Sequence, residues 1–477
     1  MSLLGEVRRL LHKYDIRPKK RLGQNFCIDD DVLRRMIGYS NLCEDDIVLE
    51  VGVGLGVLTK LLSEAAKRVI AVEVDPHLVM ALRDELEDRE NIELIEGDVL
   101  KIQLPEFNKV VANPPYSISS PLIFKLLERN FESAVLTFQR ELAERLVARE
   151  GSRDYGRLTV MTHYKADTEI LEYLPKKTFY PPPDVESAIV RINPCEKPFG
   201  ILDEETFSDV VRGLFTQRRR KTKNALLSFV RAKGHKKKEA RSLIEGLPYL
   251  EVRVYTLPPE SFVDISNEVY RRIIKSKKFF YGDHTFYVLP EVYEPSDDTF
   301  LLADNLMIED GSEVLDIGAG CGILSVVAAK NASRVVATDL NPHAVECAEI
   351  NVKLNDLVGK IEVRHGNLFK PVKPDEKFDV IIFNPPYLPI SEEEAEQGWL
   401  EKAWAGGPTG GEVIDKFLKE APKHLKRRGK ILLVQSTLSD VAKTMRLLKE
   451  CGLEPKILAE KKLDFESIKL IQAFSRK

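Results

Sequence analysis

The stretches Glu50-Val-Gly-Val-Gly-Leu-Gly56 and Asp316-Ile-Gly-Ala-Gly-Cys-Gly322 decide how this chain folds. Each ends an apolar run. After the first, Val57, Leu58, Leu61, Leu62 and Ala65 recur at helical spacing. A strand, a tight glycine turn and a helix N-terminus together make a cradle for a ligand, and Gly52, Gly54, Gly318 and Gly320 let the backbone approach closely. Working outward, an acid follows each turn at the end of a second apolar run. Glu73 lies 23 residues after Glu50, and Asp339 lies 23 residues after Asp316. Beyond these, Asn-Pro-Pro-Tyr occurs twice, at Asn113–Tyr116 and Asn384–Tyr387, 63 and 68 residues after the first acid of its half. An ordered pattern repeated at this spacing marks two related domains on one polypeptide.

The apolar runs around the motifs set the architecture. Candidate strands in the first half are Ile47–Val51, Val69–Val74, Ile92–Ile95, Val110–Ala112, Ala134–Phe138 and Ala188–Ile192. Those in the second are Glu313–Ile317, Val335–Asp339, Ile361–Arg364, Asp379–Phe383, Lys430–Gln435 and Ile468–Phe474. Strands alternating with helical stretches predict two α/β domains, each a mostly parallel, doubly wound, Rossmann-like sheet. After Pro194 the pattern turns helical and basic through about Ile265, which predicts a small helical appendage after the first domain. The expected divisions are a first catalytic domain at 1–194, a basic helical subdomain at 195–265, a linker at 266–278 and a second domain at 279–477.

A length of 477 residues suits two or three domains. No run is long and apolar enough to span a membrane, and Met1–Arg21 is charged without an apolar core, so neither a membrane span nor a secretory signal is expected. The six cysteines are scattered with no CxxC pair, and the histidines show no ligand spacing. The expectation is a cytoplasmic chain with no disulfide framework and no metal. A net charge of −4 conceals strong local clusters. Residues 212–241 hold 12 basic residues and one acid, and residues 8–21 hold seven and one. Such clusters attract phosphate backbones, which makes Arg218, Arg219, Arg220, Lys221 and Lys223 candidate RNA contacts.

The glycine turn with its following acid suits a ribose-bearing cofactor, but nicotinamide cofactors fit that pattern as well. Asn-Pro-Pro-Tyr discriminates. An amine conjugated to a ring or carbonyl is a poor nucleophile because its lone pair is delocalised. The side-chain oxygen of Asn113 or Asn384 and the carbonyl of Pro114 or Pro385 can each accept one of its N–H hydrogens. The prolines hold that backbone extended, and the ring of Tyr116 or Tyr387 can stack on a planar substrate. The nitrogen is then aimed in line at a methyl sulfonium, and placement does much of the catalysis. Asp98 in Glu96-Gly-Asp98 and Asn367 in His365-Gly-Asn367 stand where a carboxylate or amide can accept from an adenine amine.

Residues 1 to about 265 resemble the KsgA family of small-subunit rRNA adenine dimethyltransferases. The resemblance rests on Arg21-Leu-Gly-Gln-Asn-Phe26, Glu50–Gly56, Glu73, Gly97-Asp98, Asn113–Pro121, Phe138–Leu146, Phe179–Ser187 and the basic Phe215–Leu227 stretch. It implies transfer of two methyl groups to the amine of each of two adjacent adenosines near the rRNA 3′ end. By the same resemblance Asn25, Cys27, Gly52, Glu73, Asp98 and Asn113 contact S-adenosylmethionine, Asn113 and Pro114 hold the target amine, and Tyr116 and Phe179 sandwich the extruded adenine. Pro114 and Cys27 depart from the family's usual Leu or Ile and Leu.

Residues 279–477 resemble the HemK family of protein glutamine methyltransferases. Here the resemblance rests on Tyr293–Leu302, Asp316–Gly322, Asp339-Leu-Asn341, Asn384–Tyr387 and Gly406–Glu412. It implies methylation of a glutamine amide in a class I release factor, with Asn384 orienting the amide. Asn367 stands where Asp is usual. The compact form is similar to the branch that pairs with a small zinc-binding activator subunit. A different reading stays open: an RNA-binding ribosome-assembly factor whose second domain is a docking module or methylates another protein or nucleic-acid amine.

Overall fold

The computed structural model describes residues 2–19, 22–195, 200–390 and 398–475; Arg21 of the Arg21–Phe26 segment lies outside the described residues. The chain divides into two compact units, Met1–Leu226 with Pro248–Asn267, and Leu227–Leu247 with Glu268–Lys477.

In the first unit seven strands form one sheet: β1 Ile47–Val51, β2 Arg68–Glu73, β3 Ile92–Glu96, β4 Lys109–Ala112, β5 Ser133–Gln139, β6 Ala166–Leu174 and β7 Ser187–Pro194. Their order across the sheet is β3-β2-β1-β4-β5-β7-β6. β1 to β5 run parallel, and β7 runs antiparallel to both β5 and β6. Alternate residues go to opposite faces, as the period of two demands. Leu49, Ile70, Val110, Ala134 and Leu136 pack into one core, and Val48, Val69, Val111, Val135 and Ile189 into another. With both faces covered, the strands read as continuous apolar runs. β6 escaped the sequence reading because most of it is only partly buried (Ile170, Leu171) and its polar residues interrupt any apolar run.

The second unit repeats this order. Its strands are β8 Glu313–Ile317, β9 Arg334–Asp339, β10 Ile361–His365, β11 Phe378–Phe383, β12 Leu425–Ser436, β13 Leu453–Lys462 and β14 Ser467–Ser475. They are ordered β10-β9-β8-β11-β12-β14-β13. In both units the helix after the second strand begins with the same device: a proline in the first turn behind a capping side chain, Asp75 accepting from the His77 N–H at 3.2 Å and Asn341 from the His343 N–H at 2.9 Å.

Two features of the second unit lie upstream of its sheet. Lys277–Tyr281 pairs with His284–Val288 as an antiparallel hairpin. The Asn351 side chain holds that hairpin at Tyr287, accepting from its N–H and donating to its carbonyl, both at 2.8 Å. The helix Lys237–Ile244 belongs to this unit too. Its buried Glu239 accepts from Lys278 at 2.9 Å and from the Tyr287 hydroxyl at 3.2 Å. No helix among the described residues is long and apolar enough to cross a membrane.

Candidate active sites

The glycine turn and Asn-Pro-Pro-Tyr leave the ends of neighbouring parallel strands, β1 and β4, so the two motifs meet at one edge of the first sheet. Their contact is tight. Gly52 has φ +77°, and a Cβ there would lie 2.8 Å from Pro115 Cδ and 3.6 Å from the Asn113 carbonyl oxygen. Glycine is required at this position both by conformation and by space. Glu73 ends β2 and accepts from the N–H groups of Gly54, Val74 and Asp75, each at 3.0 Å. Burial still raises its pKa. Glu50 is 1% exposed, and burial pushes its carboxyl up to about 8. Its Oε2 has no hydrogen-bond partner.

Asn113 donates through Nδ2 to the Asn25 carbonyl at 3.2 Å and accepts at Oδ1 from the Thr137 hydroxyl. Asn25, Cys27, Glu50, Gly52, Gly54, Glu73, Asn113, Pro114 and Tyr116 all line one cavity of about 70 Å³. That is below the range of about 300–1,000 Å³ typical of ligand sites. Phe26 is in the wall of this cavity too; a Cβ on Gly54 would come within 3.0 Å of its ring. The Tyr116 hydroxyl lies 2.5 Å from Ser187 Oγ, and burial pushes its pKa up to about 12. Cys27 is buried, which pushes its thiol up to about 12. Two candidate residues lie elsewhere. Phe179 is 2% exposed and packs in the core with Val48, Val111 and Ile189. The Asp98 carboxylate accepts from the Leu100 N–H at 3.0 Å and faces Lys101 at 3.4 Å, outside the cavity wall.

The second site is built on the same plan. Asp339 accepts from the Gly320 and Asn341 N–H groups, each at 2.8 Å. Asp316 is fully buried, accepts from the Ser325 hydroxyl at 2.5 Å and leaves Oδ1 without a partner; burial pushes it up to about 7. Gly318, Gly320, Asp339, Asn367, Asn384, Pro385 and Tyr387 line a cavity of about 440 Å³. Asp316 lies behind that wall, in the core. The chain's only two tryptophans, Trp399 and Trp404, stand in the wall as well. Asn384 donates through Nδ2 to Asp298 Oδ2 and Thr299 Oγ1, both at 3.2 Å, while its own Oδ1 is buried and unpartnered. The Tyr387 hydroxyl donates to Asp298 Oδ2 at 3.1 Å, and burial raises its pKa.

These donor sets fit S-adenosylmethionine. The unpartnered oxygen of Glu50 suits its ammonium group, the more exposed faces of Glu73 and Asp339 suit a ribose diol, and the glycine turns let a ligand approach the backbone between them. Sequence reading gave no role to Thr137, Asp298, Thr299, Trp399 or Trp404. Asp298 and Thr299 lie inside the Tyr293–Leu302 segment, in the helix Asp297–Asp304, but a contact across 86 residues leaves no periodic signal.

The basic residues divide. Arg218 donates to the Arg153 carbonyl at 2.8 Å and the Ser152 carbonyl at 3.1 Å. Arg218 and Arg219, with Arg153, Arg253 and Tyr255, line an open notch of about 340 Å³. Lys221 pairs with Glu251 at 2.7 Å, the Arg220 N–H closes a local turn on the Gln217 carbonyl at 2.8 Å, and the Lys223 N–H donates to the distant Leu250 carbonyl at 2.9 Å. Arg153 and Arg253 join this basic surface from distant parts of the sequence, where no charge run marks them.

A family model described as ribosomal RNA adenine dimethylase matches residues 16–270, and one described as methyltransferase small domain matches residues 293–462. A relative from Methanopyrus kandleri, a probable ribosomal RNA small subunit methyltransferase A, is 45% identical over 261 residues, covering 54% of this chain and 94% of its own. Among solved structures, a dimethyladenosine transferase from Plasmodium falciparum is 30% identical with a TM-score of 0.46, covering 50% of this chain and 95% of its own. An E. cuniculi Mtq2–Trm112 complex, which methylates the eRF1 translation termination factor, is 24% identical with a TM-score of 0.30, covering 39% of this chain and 99% of its own.

Proposed function

We propose, from the premise that the chain belongs to the ribosomal RNA adenine dimethylase family, that its first unit dimethylates two adjacent adenosines near the 3′ end of small-subunit rRNA. The observation that carries this is the seating of Asn113 and Pro114 against the glycine turn, in one cavity with Glu73 and Tyr116. The chain is an S-adenosylmethionine-dependent methyltransferase, and the bound cofactor supplies a methyl group on a sulfonium. The residues then have distinct tasks. Asn113 Oδ1, steadied by Thr137, accepts one N–H of the adenine amine, and the Pro114 carbonyl accepts the other. Tyr116 stacks on the base. The amine loses one proton to solvent for each methyl gained. Arg153, Arg219 and Arg253 hold rRNA phosphates in their notch.

The second unit, in this reading, methylates a glutamine side-chain amide of a class I release factor, with a small zinc-binding activator subunit as partner. The buried, unpartnered Oδ1 of Asn384 supports it, since an acceptor held without a donor suits an incoming N–H. Both substrates place the work in the cytoplasm. The test for the first unit is methylation of undermethylated small subunits, followed by nuclease digestion and mass analysis. Adjacent dimethyladenosines in the 3′ fragment are expected with the unsubstituted chain and none with Asn113→Ala. Equal modification by both, or modification of another nucleotide, would overturn the reading.

A further inference from the structure

Asp298 is a buried carboxylate in the wall of the second cavity. It is 4% exposed and has no lysine or arginine in contact among the described residues. Its partners are all neutral donors. Oδ1 accepts from the Thr299 N–H at 2.6 Å and the Thr299 hydroxyl at 3.1 Å. Oδ2 accepts from Asn384 Nδ2 at 3.2 Å and the Tyr387 hydroxyl at 3.1 Å, and the Tyr293 hydroxyl lies 3.4 Å from both oxygens. A buried charge held only by neutral donors costs free energy, and this one touches two residues of Asn-Pro-Pro-Tyr at once.

We infer that Asp298 is a positioning residue for the second active site: it fixes which way the Asn384 amide faces and lends negative potential to the acceptor oxygen. A carboxylate accepts only, so the Asn384 N–H₂ must face it and Thr299, and Oδ1 must face the other way. With the amide flipped, its oxygen would stand against a carboxylate oxygen. The first unit solves the same problem differently. There the Asn25 backbone carbonyl, also acceptor-only, holds the Asn113 N–H₂, and among the described residues no carboxylate is hydrogen-bonded to it.

The extra charge matches the harder chemistry, and here the inference rests on the reading of the second substrate as an amide. A carboxamide nitrogen is a weaker nucleophile than an adenine amine. As the nitrogen lone pair forms the new N–C bond, the C–S bonding pair returns to sulfur and positive charge builds on nitrogen until a proton leaves to solvent. A fixed anion one hydrogen bond behind the acceptor stabilises that charge without reorganising.

The test substitutes Asp298→Asn in the full chain. The new amide keeps an oxygen for the Thr299 N–H, but it sets an N–H₂ group against the Asn384 N–H₂, and the cheapest relief is a flip of the Asn384 amide. The first readout needs no substrate: the Asn384 side-chain amide resonance, identified by its loss in Asn384→Ala. It is expected to be protected from solvent exchange in the unsubstituted chain, and to shift and exchange roughly tenfold faster in D298N, as loss of a charge-assisted hydrogen bond implies. The second is labelled methyl transfer to release factor. The kcat is expected to fall about 100-fold, with KM for S-adenosylmethionine within about threefold. Thr299→Val, which removes the other partner, is expected to lose about tenfold and serves if D298N does not fold. Asp297→Asn, which breaks only the exposed pair with Lys461, is expected to change neither readout. An unmoved Asn384 resonance, or an unchanged kcat in both D298N and T299V, would overturn the inference. If the unsubstituted chain labels no release factor, the substrate reading falls, and the resonance alone decides the role of Asp298.

Discussion

Replacing Gly52 by alanine tests whether the glycine turn and Asn-Pro-Pro-Tyr act as one packed unit. Two costs add. Gly52 has φ +77°, which an L side chain adopts at about 1–2 kcal/mol. The new Cβ would also lie 2.8 Å from Pro115 Cδ, a backbone-tied ring that cannot swing away, and such overpacking costs about 1–3 kcal/mol. Together they destabilise the first unit by roughly 2–5 kcal/mol. Gly320→Ala is the matched control. It has φ +57° with nothing within 4 Å of the added Cβ, so it pays only the conformational cost, about 1–2 kcal/mol. Urea unfolding without cofactor reads both. Restoring ordinary contact in Gly52→Ala displaces Pro115 by several tenths of an ångström, and a 1 Å misplacement can cost about 100-fold in rate. Methylation of small subunits is therefore expected to fall roughly tenfold. Equal destabilisation by the two substitutions, or full rRNA methylation by Gly52→Ala, would refute the packing argument.

Other expectations follow from the acids and the basic notch. The folded Glu50 carboxyl is raised to about 8, so the folded first unit binds a proton that the unfolded chain releases near the ordinary carboxylate pKa. The stability this proton supplies is complete below about pH 4.5 and is lost as pH rises through 8; Glu50→Gln is expected to flatten that slope, and an unaltered slope would remove Glu50 as its source. A cofactor ammonium beside Glu50 favours the carboxylate, so binding near neutral pH is expected to release a proton, read calorimetrically in buffers of different ionisation enthalpy. Arg219→Ala and Arg253→Ala are expected each to lower the slope of log affinity for rRNA against log salt by about one phosphate contact, with cofactor affinity unchanged. Unchanged slopes would place the RNA elsewhere.

Much of this was legible in the sequence because it is local. Buried parallel strands are continuous apolar runs, so all six expected strands of each sheet stand within a few residues of their places, and the glycine turns and Asn-Pro-Pro-Tyr segments carry their chemistry in consecutive residues. Strands β6 and β13 were not legible, since an edge strand with one solvated face mixes polar and apolar residues much as a loop does. Nor was the hairpin Lys277–Tyr281 with His284–Val288, whose Lys-rich start reads as linker. Long-range pairings leave still less trace. Glu239 sits in a basic run that suggests a solvated face, yet it is buried on Lys278 and Tyr287. Asp298 reads as one more polar residue until the fold brings it to Asn384.

The central claim is that one chain carries two independent methyl-transfer sites, each centred on its own Asn-Pro-Pro-Tyr. Its most direct test is transfer from labelled S-adenosylmethionine to small ribosomal subunits and to release factor, offered separately to the unsubstituted chain, Asn113→Ala and Asn384→Ala. Asn113→Ala is expected to abolish labelling of the subunit alone and Asn384→Ala that of the release factor alone. Subunit labelling that survives Asn113→Ala, or that is lost in Asn384→Ala, would contradict it.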